Sequence, residues 1–242
     1  MPWKRPNRLR LLSLSTAEQG CSLAVFEDKK LVCEEYWADK QTHSKRLTAM
    51  VKNLLDNRAG FGLSAIDGFI AAKGPGSFTG LRIGLSVIKG LSYALSKPCA
   101  GVSSLDGIAY RFSHASVPVC AMMDARRNEV YCAVYHFERG ELVKKGKERV
   151  CSPDQAIVLA GNASLFAGSG ARVYQRLISD LTDQKAFFSH ETMEYVSASA
   201  LAGPALARDD FFDCPENELT PFYIRKSDAE VQFVEKTSIL TQ

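Results

Sequence analysis

At 242 residues and about 150 residues per domain, the chain makes one large domain or two modest ones. Hydrophobic residues make up 46% and charged residues 24%, which excludes a fibre or a disordered tail, and 30 basic against 27 acidic side chains leave too little excess to imply nucleic-acid binding without a local patch. Cysteines at 21, 33, 99, 120, 132, 151 and 214 are odd in number and form no C-x-x-C pair, which argues against a disulfide framework or zinc knuckle and fits a reducing compartment.

Along the chain, Leu11 to Ser15, Cys21 to Glu27 and Leu31 to Trp37 read as three strands, the last two joined by a tight turn at Asp28-Lys29-Lys30. Leu47, Met50, Val51, Leu54 and Leu55 line one face of a helix from about Ser44 to Asn57, stopped by Gly60 and Gly62. Gly68 to Ala72 is a fourth strand leading into a glycine-rich loop and a second helix to about Leu95. Cys99 to Val102 is a strand, and Ser103 or Ser104 caps a short helix through Phe112. After a polar link, Ser113 to Ser116, the order begins again. Val117 to Met123, Glu129 to Phe137 and Glu141 to Val150 are strands, Ser152-Pro153-Asp154 starts a helix, Leu165 to Gly168 is a strand and Ala171 to Leu181 a helix. Both halves run strand, strand, strand, helix, strand, helix, which predicts two α/β lobes, each with a mixed sheet, over residues 1–115 and 116–242.

The loop Gly74-Pro-Gly-Ser-Phe-Thr-Gly-Leu-Arg-Ile-Gly84 follows a strand and opens a helix, where a phosphate can rest on free amides. It fails the Walker pattern on spacing and on the missing lysine, and the dinucleotide pattern because Thr79 stands where glycine is needed. Gly76, Gly80 and Gly84 fall at i, i+4 and i+8, with Ile88 and Leu91 continuing the face. Interior helix glycines cost about 1 kcal/mol each, a cost close packing can offset. The spacing therefore favours a helix-packing surface, inside the fold or across an interface, over anion binding.

This loop closely resembles the signature of the TsaB (YeaZ) family, the non-catalytic subunit in bacterial threonylcarbamoyl-adenosine modification of tRNA. Ser15-Thr16-Ala17 to Cys21-Ser22-Leu23-Ala24, Asp124-Ala125-Arg126 to Glu129-Val130-Tyr131, and Pro221-Phe222-Tyr223-Ile224-Arg225 resemble further family segments, with a variable stretch between Val150 and Asp213. The resemblance implies an actin-like (ribonuclease H-like) fold of two lobes. Two features depart from it: Ser15 stands where the family often has aspartate, and the N-terminal segment with Trp3, Lys4, Arg5, Arg8 and Arg10 has no counterpart. A serine offers no anionic oxygen to a magnesium ion.

Candidate chemistries fail one by one. The homologous catalytic subunit carries His-x-x-x-His in the first helix to hold a metal, but here His43 is followed by Leu47, and one histidine cannot supply two metal bonds. No Gly-x-Ser-x-Gly elbow exists. Asp124 to Asn128 reads as a hairpin turn rather than one of a pair of catalytic carboxylates, with Arg126 and Arg127 exposed at its tip. No apolar run approaches the ~20 residues of a membrane span, and Leu11 to Leu14 is too brief for a signal-peptide core. The expectation is a cytoplasmic protein without catalytic residues, metal or cofactor, a vestigial nucleotide in the interlobe cleft being left open. By resemblance it binds the homologous TsaD-like catalytic subunit, is joined by a small TsaE-like ATPase, meets tRNA through that complex, and pairs with a second copy when the partner is absent. Gly76, Gly80, Arg82, Gly84, Ile88, Leu91, His43 and Leu47 are the expected partner contacts. The rivals are a stand-alone actin-like ATPase or kinase, which needs cleft carboxylates, and a metalloprotease, which needs paired ligands.

Overall fold

The computed structural model describes residues 8–38, 43–207 and 219–225, with 43–45 described by backbone alone. The basic start over 1–7 and Cys214 lie outside the described residues. A first sheet is built from β1 (Arg10–Ser15), β2 (Cys21–Glu27), β3 (Lys30–Trp37), β4 (Gly68–Gly74) and β5 (Cys99–Ser103), in the order β3-β2-β1-β4-β5. The first three strands form an antiparallel meander, and β4 and β5 add in parallel. Helices α1 (His43–Asn53) and α2 (Phe78–Leu95) cover one face, and α3 (Ser104–Tyr110) lies on the other. Leu11, Leu12 and Leu14 of β1 are all fully buried, as a central strand covered on both faces requires.

The second sheet repeats the plan. Its strands are β6 (Val119–Asp124), β7 (Val130–Glu138), β8 (Glu141–Lys145), β9 (Arg149–Cys151), β10 (Leu165–Ala167) and β11 (Phe187–Phe188). Read from β8, the order β8-β7-β6-β10-β11 matches the first sheet, with β9 pairing on β7. Helices α4 (Pro153–Ala160), α5 (Ser169–Val173) and α6 (Gln175–Leu181) pack outside it through Ala156, Ile157, Ala171 and Ile178 against Cys120 and Met122. The alternate residues Val119, Ala121 and Met123 face inward with Tyr131 and Tyr135, sharing a core with Leu105 and Ile108 of α3 and with Leu11 and Ile70 of the first sheet. Helix α7 (Ala202–Leu206) joins that middle layer. The predicted fold class, two mixed sheets with flanking helices, is the observed one.

Three boundaries differ. The expected strand over 141–150 is two strands, because the chain turns at Gly146, whose N–H donates to Val134 O at 2.7 Å, and β9 takes up the earlier part of β7. The first helix widens after Asn53 into a π-turn, Leu54–Ala59, before Gly60 ends it with φ 77°. The helix expected over 171–181 breaks at Tyr174 into α5 and α6.

The glycine stripe is corrected too. Gly80 and Gly84 lie against Thr16 at the end of β1: a Cβ on Gly80 would strike the Thr16 carbonyl oxygen, and one on Gly84 its hydroxyl. Thr16 Oγ1 donates to Gly80 O at 2.7 Å. Ile88 and Leu47 are fully buried in the core between the helices and the sheet, and Leu91 is half-buried against it. Gly80, Gly84, Ile88 and Leu47, expected at a partner surface, are therefore interior to this chain, because the missing side chains serve the packing of α2 on its own sheet. No helix among the described residues is long and apolar enough to cross a membrane.

This packing predicts opposite outcomes for two glycines of one helix. Gly84→Leu must displace Thr16 and should destabilise the fold by about 1–3 kcal/mol, read as a lower urea midpoint. Nothing lies within 4 Å of a Cβ on Gly90, so Gly90→Ala should stabilise by about 0.5–1 kcal/mol.

Candidate functional site

The turn after β1 and the glycine loop face the β6–β7 hairpin, α5 and residues 191–195 across a cleft of about 900 Å³. Glu18 lies at its floor with a buried carboxylate. Ser169 Oγ donates to Glu18 Oε1 at 2.6 Å and Val196 N to Oε2 at 3.0 Å, so one carboxylate of the first lobe holds groups carried by the second half of the chain. Burial pushes the carboxyl above its ordinary range, Ser169 and Val196 hold it down in part, and the nearby Asp124 and Glu194 push it further up.

Residues 194–201 form a strap from the cleft onto the first sheet. Tyr195 stacks on Tyr36 of β3 at 3.9 Å. Two residues earlier on the strand, Glu34 accepts from Ser22 Oγ at 3.0 Å, Ser199 Oγ at 2.7 Å and Ser199 N at 3.2 Å, and also from Ser197 Oγ. Ser13 Oγ donates to Ala198 O at 2.6 Å, and Ala198 N donates to Ser22 Oγ at 2.9 Å. The polar side chains of a buried strand pair are thus consumed by the strap. On the rim, Arg172 pairs with Glu191 and Glu194, both at 3.0 Å.

Residues 219–225 tie the other side. Phe222 N donates to Lys73 O at 2.7 Å, and Tyr223 stacks on Phe78 at 4.3 Å. The exposed Arg82 donates from Nε to the Tyr223 hydroxyl at 3.0 Å. Arg225 donates to Ala125 O at 3.0 Å and pairs with Glu129, gripping the β6–β7 hairpin. That hairpin holds Arg126, Arg127 and Asn128 at φ 59°, 54° and 58°, a run of left-handed residues that the sequence marked only at Asn128.

Two amides of the glycine loop are bonded within the chain. Ser77 N donates to Ala17 O at 2.7 Å, and Gly80 N to Ser77 Oγ at 3.3 Å as the helix cap, so both are spent within the chain. Gly76 lies beside the Ala17 carbonyl and is partly buried. Of the other expected contact residues, Arg82 is exposed and bonds Tyr223, and the His43 side chain lies outside the described residues. Glu18 and Glu34, which join the lobes, fall in no motif. The only sequence sign of Glu18 is an acidic residue in the turn directly after a strand buried on both faces.

A family model described as TsaD, tRNA N6-adenosine threonylcarbamoyltransferase, matches residues 36–233. The tRNA threonylcarbamoyladenosine biosynthesis protein TsaB of Bacillus subtilis is 28% identical over 236 residues, 94% of this chain and 99% of that relative. The TsaB of Haemophilus influenzae is 34% identical over 180 residues, 69% of this chain and 75% of that relative. A solved Pseudomonas aeruginosa protein, described as similar to peptidase YeaZ, superposes with a TM-score of 0.74 at 31% identity, covering 90% of this chain and 100% of its own. The chain belongs to the TsaB (YeaZ) family. An Arthrobacter polyphosphate/ATP-glucomannokinase shares the fold at a TM-score of 0.51 and 11% identity, covering 83% of this chain and 100% of its own. The TsaB resemblance drawn from the glycine loop, the hairpin and the Pro221 to Arg225 segment is therefore that of the whole chain. In the fold those three segments meet through the Phe78–Tyr223 stack and the Arg225 contacts.

The Glu18 clasp makes stability depend on pH. The unfolded carboxyl ionises near its ordinary 4.5, whereas the native one keeps its proton to higher pH. Its contribution is therefore full below the ordinary value and is lost as pH rises through the raised one. Glu18→Gln removes this titration while keeping an acceptor. Urea unfolding between about pH 4 and pH 8 should show the parent losing stability relative to the variant as pH rises. A difference that stays flat across that range contradicts the raised carboxyl.

Proposed function

We propose that this TsaB-family chain is a non-catalytic subunit of tRNA threonylcarbamoyladenosine biosynthesis that acts by binding a homologous, TsaD-like catalytic subunit. The observation that carries the reading is Leu47. By the family resemblance it stands where the catalytic subunit carries its second metal-binding histidine, and it is fully buried against the first sheet. Ser15, buried at the end of β1, and the bonded amides of Ser77 and Gly80 point the same way. The reading assigns the chain to the cytoplasm with no resident cofactor. It has a small TsaE-like ATPase joining the pair, tRNA met through the complex, and two copies pairing when the catalytic subunit is absent.

With the buried glycines removed from the interface, the surface that fits a partner helix is the opposite side of α2. Ser86, Gly90 and Ala94 fall at i, i+4 and i+8 there, all exposed, with Arg82 at one end and Tyr93, 76% exposed, at the other. Small residues allow close approach, and an exposed tyrosine suits an interface anchor.

Co-purification from the native cell should capture a second actin-like subunit. Gly90→Leu should abolish that capture and the tRNA modification while leaving the thermal midpoint unlowered, because the added side chain meets open space in the free protein. Normal capture by this variant removes α2 from the interface. The isolated protein should show no magnesium-dependent ATP turnover, and turnover abolished by a cleft substitution would overturn the non-catalytic reading.

A further inference from the structure

The cysteines of the second lobe form a group to which the proposed function gives no part. Cys132 of β7 and Cys151 of β9 lie on neighbouring antiparallel strands, Cys151 opposite Val130 and Cys132 opposite Arg149, so both side chains point to the face that α4 and α6 cover. Their sulfurs are 3.5 Å apart, and both are free thiols. Cys132 is 1% exposed and Cys151 8%. Cys120 of β6 is fully buried in the same apolar cluster, whereas Cys21, Cys33 and Cys99 belong to the cluster between the first sheet and its helices.

We propose that Cys132 and Cys151 are an oxidation-sensitive pair that a peroxide converts to a disulfide, clamping β9 to β7. Cys151, the more exposed of the two, meets the oxidant. As the O–O bond breaks, its sulfur takes one peroxide oxygen to become a sulfenic acid, and its proton leaves with the other oxygen as water. The Cys132 sulfur then attacks the Cys151 sulfur: the S–S bond forms, the S–O bond breaks, and the hydroxyl departs with the Cys132 proton as a second water. Two thiols have lost two electrons and one peroxide has gained them. A dithiol reductant reverses the change by exchange. Burial, with Cys120 and Cys151 beside it, pushes the Cys132 thiol above its ordinary range, so it holds little of the nucleophilic thiolate. Its place 3.5 Å from the sulfur it attacks offsets this, because a group so held reacts at an effective concentration that no thiol in solution reaches. The sulfurs must still close to about 2.05 Å. Room for that lies at Cys151, the last residue of the three-residue β9, beyond which the chain leaves the sheet at Ser152 and enters α4. The bond closes a loop that carries β8 and ties down the corner from which α4 starts, and such a closure stabilises by restricting the unfolded chain. The pair does not line the interlobe cleft and does not depend on the proposed function.

The full chain, reduced and then treated at neutral pH with excess hydrogen peroxide, is quenched with iodoacetamide and digested without reductant for mass spectrometry. A peptide linking Cys132 to Cys151 should form, lighter by two hydrogens than its two thiol components together, and should disappear with dithiothreitol. Cys132→Ala should leave on Cys151 a sulfenic acid that dimedone captures, and Cys151→Ala should leave Cys132 a free thiol. The thermal midpoint of the treated parent should rise by about 5 °C relative to its reduced form, and that of Cys151→Ala treated alike should not. Melts of the reduced variants establish that each is folded, and if either is not, the peptide map of the parent decides. A link that is absent from the folded protein, or that forms only after unfolding in urea, overturns the proposal, as does a link from either thiol to Cys120 in its place. A midpoint that the bond does not raise overturns the clamp.

Discussion

Helix α2 comes so close to the end of β1 that Gly80 and Gly84, in its first two turns, have no room for a Cβ. Thr16 fills the space two glycines leave, and its hydroxyl bonds the Gly80 carbonyl at 2.7 Å. Several features follow from this contact. It draws the glycine loop against the turn after β1, so that the Ala17 carbonyl takes the Ser77 N–H. It turns Leu85 and Ile88 onto the sheet, and so fixes which side of α2 faces outward. A loop whose position before a helix suits anion binding also serves as a seat for a strand end, and two of its amides, those of Ser77 and Gly80, meet carbonyl and hydroxyl oxygens of the same chain.

The cleft between the lobes is closed from both ends by chain segments that come late in the sequence. On one side the strap of residues 194–201 delivers hydroxyls and amides to Glu34 and Glu18. On the other, residues 221–225 stack on Phe78 and grip the β6–β7 hairpin through Arg225. The two carboxylates do different work. Glu34 lies on an edge strand and gathers four donors, so its charge is answered by hydrogen bonds. Glu18 has two donors in a buried setting, with Asp124 and Glu194 nearby, which leaves it poorly solvated as an anion.

The element order was legible because strands and helices here carry strong periods. The meander of each lobe, the helix that follows and the repeated order all appear in the pattern of apolar residues. What was not legible depends on three-dimensional approach. The i, i+4, i+8 spacing of Gly76, Gly80 and Gly84 shows that something comes close to α2, but periodicity cannot distinguish a strand end of the same chain from a foreign helix. Ser86, Gly90 and Ala94 have the same spacing and face the other way, and only the burial of Ile88 and Leu47 separates the two stripes. Glu18 and Glu34 were missed for a related reason: their partners in the second half of the chain lie 151 to 178 and 163 to 165 residues away, beyond any local signal. The stretch after Val150, which gave no motif, supplies those partners.

The shared fold with a sugar kinase at 11% identity shows how little of the architecture constrains the chemistry. Both proteins have two lobes and a cleft, but a cleft becomes a phosphate site only if its loops keep amides and carboxylates unspent. Here Ser15 carries no charge, Ser77 and Gly80 have bonded amides, Arg225 is held by Glu129, and Arg172 by two glutamates. Each of these groups, left free, would add to an affinity for nucleotide. Used within the chain, the amides of Ser77 and Gly80 instead order the glycine loop, Arg172 ties α5 to residues 191–194, and Arg225 ties residues 219–225 to the β6–β7 hairpin. On the proposed reading, an exposed small-residue helix face on an ordered sheet favours binding of a homologous subunit, since a surface that must first be ordered loses part of its binding free energy to that ordering.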